Sequence, residues 1–320
     1  MAVVDLTHFH ESAMLFDRVG FDLDAYLAKA PSPMDFDLRH QIESWMDTGI
    51  ATFEGVVSFD ELDDFLGDIE SLCGNPGAFD LEIESRGQRH RLAEIDFNPL
   101  SDTGVKFNCL ENISKAARQL SLNKFVCEFL AHVFQASPVV LQSLTFWRGS
   151  NQPVHTDYPY VRTQSKLSHL AASWVPLEDI HPDAGPLAYY PGSHKPERVR
   201  PFDWGDGSVV LEPDSQRSAA ELAPYLQQQL NLSGLKPSVF LPKKGDVLIW
   251  HGWLAHEGTK TRNPDLTRKS YVTHYTSLDA YPKAHMYPDA FATQRLTHLN
   301  GGYVFDKPWV NDAKALPSWR

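Results

Sequence analysis

Three cysteines, Cys73, Cys109 and Cys127, stand far apart in 320 residues. They are too few and too scattered for a disulfide framework or a cysteine zinc site, which fits a reducing compartment. No apolar run approaches the roughly 20 residues of a membrane-spanning helix. The start, MAVVDLTHFHESAMLFD, lacks the basic stretch of a secretory leader. A cytoplasmic protein without a membrane partner is the expectation. A basic excess is missing as well: the net charge is −12, so nucleic-acid binding is not expected. Residues 1–70 hold 16 acids against 3 bases, and the remainder 25 against 26. The acidic part reads as a solvated face, while the neutral remainder suits a small anionic ligand. Internal repeats and low-complexity tracts are absent, and 42% hydrophobic residues exclude a largely disordered chain.

What is present changes character along the chain. The N-terminal part, 1–137, is mainly helical. FDLDAYLAKA carries a weak helical pattern. Ser32-Pro33 opens a stronger helix with Phe36, Ile42, Trp45 and Met46 roughly on one face and Gly49 at its end. Ile50–Phe53 is a short strand. Ser58 and Glu61 form a capping box ahead of Leu62, Phe65, Leu66 and Ile69. Residues 74–108 give no clear pattern, and LNKFVCEFLAHVF (122–134) has the apolar density of a buried helix. After Pro138 come short apolar or alternating runs bounded by Gly, Pro, Asn and Asp: 139–147, 168–176, 187–191, 239–241, 247–250 and 270–276. Such spacing predicts a β sandwich or barrel. A polar insertion, 195–236, interrupts it with a helix over 218–230, and 281–320 forms a C-terminal extension. The whole is expected to be one domain, with its β core at 138–280.

Three pieces carry chemistry. His155 and Asp157 in Val154-His155-Thr156-Asp157 leave the same face of extended chain, so an imidazole and a carboxylate can share a metal. Gly245 to His256 supplies two more histidines, His251 and His256, whose spacing of five puts them on opposite faces of a strand. Arg268 begins the next strand, and a hairpin across 257–267 would bring it beside His256. The triplet alone is weak, because histidine often only satisfies a turn. The ordered set is stronger. Two histidines and a carboxylate on one side of a metal leave open positions for oxygen and a chelating co-substrate, the signature of non-haem Fe(II) oxygenases. A 2-oxoacid dicarboxylate would chelate iron at one end and pair with Arg268 at the other, through a planar fork that lysine cannot copy.

The run Leu141 to Tyr275 resembles the phytanoyl-CoA dioxygenase family of Fe(II)/2-oxoglutarate oxygenases. The matching pieces are His155-Thr156-Asp157, Trp174 to Asp179, Ala184-Gly185-Pro186-Leu187 through Pro191-Gly192-Ser193-His194-Lys195, Gly245-Asp246-Val247, His256 and Arg268. The resemblance implies a double-stranded β-helix (jelly roll, cupin-like) braced by N-terminal helices. It also implies Fe(II), 2-oxoglutarate and molecular oxygen. By position, His155, Asp157 and His256 are the implied iron ligands and Arg268 the 2-oxoglutarate arginine. Trp174 matches a tryptophan beside the co-substrate, and Lys106 a lysine reaching the same region. Glu257-Gly258-Thr259 departs from the family's Gly-Ser-Gly, so a hydroxyl near the arginine either comes from Thr259 or is missing.

Arg148, Gln152, Tyr158, Tyr160 and Arg162 flank the triplet as candidate substrate contacts, with His251 as a pocket or packing residue. His194 and His181 read as structural and loop residues. The implied reaction is hydroxylation of an unactivated C–H bond in a small polar or anionic molecule, giving succinate and CO2. Halogenation is disfavoured, since halogenating relatives lack the carboxylate that Asp157 supplies. Two alternatives remain open at this point: a jelly-roll metal- or ligand-binding protein without turnover, and a protein-modifying hydroxylase.

Overall fold

Helix caps set the N-terminal part of the chain. The computed structural model describes residues 6–310 apart from 32, 80 and 86. Two short helices, α1 (Thr7–Glu11) and α2 (Leu23–Leu27), precede α3 (Leu38–Thr48). The third helix does not open at Ser32-Pro33, of which Ser32 lies outside the described residues. The Asp37 carboxylate accepts from the His40 amide and satisfies one of the free N–H groups of the first turn. Phe36 therefore sits ahead of the helix.

Gly49 ends α3 as expected, in the left-handed region at φ 82. A Cβ there would lie 2.6 Å from Nδ1 of His194. Gly49→Ala combines left-handed strain with that clash and is expected to destabilise the fold by about 1–3 kcal/mol. A denaturant midpoint shift measures it.

Strand β1 (Ile50–Phe53) leads to α4 (Phe59–Gly74), which carries the complete Ser58/Glu61 capping box. The unread stretch 74–108 holds three short strands, β2 (Glu82–Ser85), β3 (Gln88–Arg91) and β4 (Lys106–Asn108). Helices α5 (Lys115–Ser121) and α6 (Lys124–Phe134) follow. Then come β5 (Pro138–Phe146), β6 (Ala171–Pro176) and β7 (Leu187–Tyr189). Helix α7 (Leu222–Ser233) is preceded by a capped 3-10 turn, Ala219–Glu221. The chain continues through β8 (Ser238–Val239), β9 (Val247–His251), β10 (His256–Gly258), β11 (Ser270–Ser277), β12 (Leu296–Leu299) and β13 (Gly302–Phe305).

The strands form a jelly roll of two unequal sheets. The large one has ten strands in the order β1-β9-β6-β11-β5-β4-β2-β3, with the β12–β13 hairpin joined to β5 through β13. The small one is β10-β7-β8. Every residue of β11 is buried, because both faces are covered. One face turns Tyr271 and Tyr275 to the helices, where their hydroxyls donate to the carbonyls of Ala117 and Ser121. That layer shares one core with Trp45, Phe65 and Phe129. The other face turns Val272 toward Trp174, Leu187 and Trp250 between the sheets.

The 195–236 insertion carries its own apolar cluster around Phe202, Trp204, Leu226 and Leu230. The C-terminal extension is part of the large sheet, with Val304 and Phe305 fully buried and Asp306 paired to Arg118 at 2.8 Å. Among the described residues no helix is long and apolar enough to cross a membrane.

Candidate active site

Between the sheets lies a cavity of about 680 Å³. His155 sits in the loop after β5 and exchanges two backbone hydrogen bonds of 2.9 Å with His256 at the start of β10. The Asp157 amide donates to the Gly252 carbonyl at 3.0 Å. These backbone ties converge the three side chains. Oδ1 of Asp157 lies 3.9 Å from Nε2 of His155 and 3.6 Å from Nε2 of His256, and one donor atom from each of the three falls within 4.8 Å of the others.

The histidine tautomers follow from their neighbours. Nδ1 of His155 faces the Pro153 carbonyl at 2.9 Å, and Nδ1 of His256 faces the Leu254 carbonyl at 3.0 Å. A carbonyl only accepts, so each Nδ1 carries a proton and each Nε2 is the nitrogen turned to the cluster, the orientation a metal ligand needs. The Gln152 amide donates to Nε2 of His155 at 3.1 Å. Burial, reinforced by His256, pushes the His155 pKa down to about 3. Burial alone would raise the pKa of Asp157, but His256 and His274 hold it well below the usual carboxylate range. Two imidazoles and one carboxylate fit a divalent metal.

Buried neutral histidines also set a pH dependence. Burial lowers His169 to about 4 and His194 well below 6.5, alongside His155. Between those values and the ordinary 6.5 the unfolded chain binds protons that the folded chain does not, so stability is complete above about 6.5 and falls with decreasing pH. The Tm of metal-free protein is expected to drop from pH 6.5 to pH 4. A flat profile over that window would contradict these assignments.

Arg268 stands two residues before β11, its amide bonded to the Trp147 carbonyl at 3.0 Å. Its side chain is buried, its guanidinium 5.3 Å from the Phe146 ring centre and 5.7 Å from that of Trp174. Nε has no hydrogen-bond partner, and no carboxylate lies within ion-pair distance among the described residues. Burial lowers its pKa to about 10, so it stays cationic at neutral pH. A buried cation of this kind is costly until an anion joins it. The 257–267 connection is not a hairpin: β10 pairs with β7, whereas β11 lies between β5 and β6, so the chain crosses from one sheet to the other. His256 and Arg268 nevertheless line the same cavity.

The remaining sequence candidates divide. Trp174, Lys106, Gln152 and Tyr160 line the cavity, with Lys106 paired to Glu84 at 2.8 Å. Thr259 does not line it, because its hydroxyl donates to the Pro186 carbonyl at 2.8 Å. Arg148 is turned away, its guanidinium bonded to the carbonyls of Leu100, Pro264 and Leu266. Tyr158 is buried against Trp253 with ring centres 3.8 Å apart, and Arg162 pairs with Glu212 at 2.5 Å. His251 is a packing residue: Nε2 bonds Asp17 at 3.1 Å, and its ring lies against Trp45 and His194. His194 is buried beside it, and His181 is half exposed in its loop.

Sequence reasoning missed His274, Gln142 and Asn108, and it left Trp250 as packing. All four line the cavity. His274 lies six residues beyond Arg268, an even spacing that places both on one strand face, so period two alone could have found it.

A facial set of two histidines and one carboxylate beside an open cavity defines a non-haem iron oxygenase type of site. The sequence profile of the phytanoyl-CoA dioxygenase (PhyH) family matches residues 45–270, and the chain belongs to this family. Phytanoyl-CoA dioxygenase domain-containing protein 1 of Danio rerio is 24% identical over 182 residues, covering 55% of this chain and 56% of that protein. Its Caenorhabditis briggsae homolog is 20% identical over 161 residues, covering 49% and 53%. The chain thus spans about half the length of these curated relatives.

Among solved structures, the non-heme alpha-ketoglutarate-dependent carbocyclase SnoK from nogalamycin biosynthesis superposes with a TM-score of 0.53 at 17% identity, covering 82% of this chain and 94% of SnoK. EctD from S. alaskensis in its apo form gives 0.56 at 14%, covering 90% and 89%. At these identities the likeness is one of fold.

Proposed function

We propose that this protein is an Fe(II)- and 2-oxoglutarate-dependent dioxygenase that hydroxylates an unactivated C–H bond of a small polar or anionic molecule, releasing succinate and CO2. One observation carries this: a metal-ready His155–Asp157–His256 set and a buried guanidinium without a carboxylate partner, Arg268, open into the same cavity. His155, Asp157 and His256 would hold the iron. The chemistry it supplies when bound is oxygen activation coupled to oxidative decarboxylation of the 2-oxo acid. Arg268 binds the far carboxylate of 2-oxoglutarate through parallel N–H donors, and that carboxylate compensates its buried charge. Phe146, Trp174 and Leu187 wall this end of the cavity with apolar surface and keep water from the pair.

Toward the other end the lining turns polar. His274 on β11 stands opposite Gln142 on β5, and Asn108 and Lys106 on β4 and Glu84 on β2 continue across the sheet. The Gln142 and Asn108 amides have no hydrogen-bond partner among the described residues and line the cavity, where they are available to a ligand. Tyr160 and Trp309, both exposed, stand at the same cavity. This gradient supports a polar substrate laid across the strands, its reacting C–H bond near Asp157.

Metal-loaded protein incubated with 2-oxoglutarate, oxygen and a panel of polar metabolites tests the proposal through succinate. Succinate that rises with one substrate class supports it. Folded, metal-loaded protein that yields none would leave a binding protein, and turnover only with polypeptides would leave a protein hydroxylase.

A further inference from the structure

We propose that His274 is a positioning residue of the metal centre: with Trp250 it clamps one oxygen of Asp157, so that the carboxylate can offer the metal only the other. The inference rests on the metal-centre reading above.

The two oxygens of Asp157 have different surroundings. Oδ1 faces Nε2 of His155 and of His256, at 3.9 and 3.6 Å. Oδ2 faces away from that pair, accepting from Nε1 of Trp250 at 2.8 Å and lying 3.4 Å from Nε2 of His274. An unrestrained carboxylate can swing to chelate a metal through both oxygens. In a six-coordinate site with three protein donors, a chelating 2-oxo acid takes two of the three remaining positions. A second bond from Asp157 would consume the last, which oxygen needs. Holding Oδ2 on protein donors keeps that position open.

A further feature singles out His274. It is 2% exposed, yet neither ring nitrogen has a hydrogen-bond partner among the described residues. A buried imidazole left in that state is costly, and Oδ2 of Asp157 lies 3.4 Å from its Nε2. The β11–β5 ladder also shifts register between His274 and Tyr275: His274 pairs with Gln142 but Tyr275 with Val140. The unpaired residue is Leu141 on β5, so the bend falls on the strand that carries Gln142, while β11 keeps an unbroken register with β6 through His274. An aliphatic residue would fill this strand position beside Val272 at no polar cost, so packing alone does not account for the imidazole.

Co(II) is a suitable probe, because its binding is read by visible absorption without turnover. His274→Leu and Trp250→Phe are each expected to weaken Co(II) binding about 10- to 100-fold, the usual consequence of losing a partner of a ligand. His274→Gln, which returns an N–H to Oδ2, is expected to recover most of that loss. In an Asp157→Ala background, His274→Leu is expected to have little additional effect, whereas a merely structural role would persist there. Unchanged Co(II) affinity in folded His274→Leu would overturn the clamp, as would an undiminished effect in the Asp157→Ala background. If His274→Leu does not fold, Trp250→Phe and His274→Gln decide the matter by the same criteria. Wild-type protein that binds no Co(II) would remove the metal centre itself; wild-type binding indifferent to all three variants would remove only the clamp.

Discussion

Asp157→Ala is expected to abolish detectable Fe(II)-dependent succinate formation while leaving the fold intact. Asp157 is the only carboxylate in the cluster of potential metal ligands found among the described residues, where it lies beside two imidazoles. Removing it deletes one of three donors and the charge that offsets the metal. The truncation is small and leaves Trp250 without its acceptor, so a modest stability change accompanies a large functional one. Parallel measurement of metal content, Tm and succinate separates the two. Unchanged turnover in Asp157→Ala would remove it from the ligand set.

Arg268 carries the second large effect. Arg268→Ala is expected to weaken 2-oxoglutarate binding by roughly 100-fold or more, since breaking a buried ion pair costs about 3–5 kcal/mol. Metal affinity should change little, because the guanidinium is not among the metal donors. Arg268→Lys is expected to recover only part of the loss: an ammonium restores the charge but not the planar two-point pairing. Succinate kinetics against 2-oxoglutarate concentration give the answer directly. A variant with unaltered dependence on 2-oxoglutarate would mean that another cation takes its far carboxylate.

Much of the architecture was legible because local rules and tertiary structure agree. Ser58 and Glu61 cap α4 as their spacing dictates, Gly49 ends α3, and most of the alternating runs after Pro138 are strands. The strands of 82–108 were not legible. They are three or four residues long, and their pairing with one another and, through β4, with β5 supplies what their own sequences do not. The start of α3 was misplaced because Ser32-Pro33 has the residue types of a helix start, whereas in the folded chain the Asp37 carboxylate meets the His40 amide.

The site divides in the same way. His155, Asp157, His256 and Arg268 stood out by type and order, and the structure brings all four to one cavity. Nearness to the triplet misled for Arg148, Tyr158 and Arg162, whose side chains are taken by loop carbonyls, Trp253 and Glu212. His274, 117 positions from Asp157 in sequence, meets it only because β11 runs through the centre of the large sheet.

The most direct measurement is an anaerobic titration of metal-free protein with Fe(II) and 2-oxoglutarate, following the visible charge-transfer band of the chelate. A band is expected only when both are present, and it should be lost in His256→Ala and, at moderate 2-oxoglutarate concentration, in Arg268→Ala. Folded wild-type protein that shows no band with both present would contradict the proposed iron and 2-oxoglutarate chemistry.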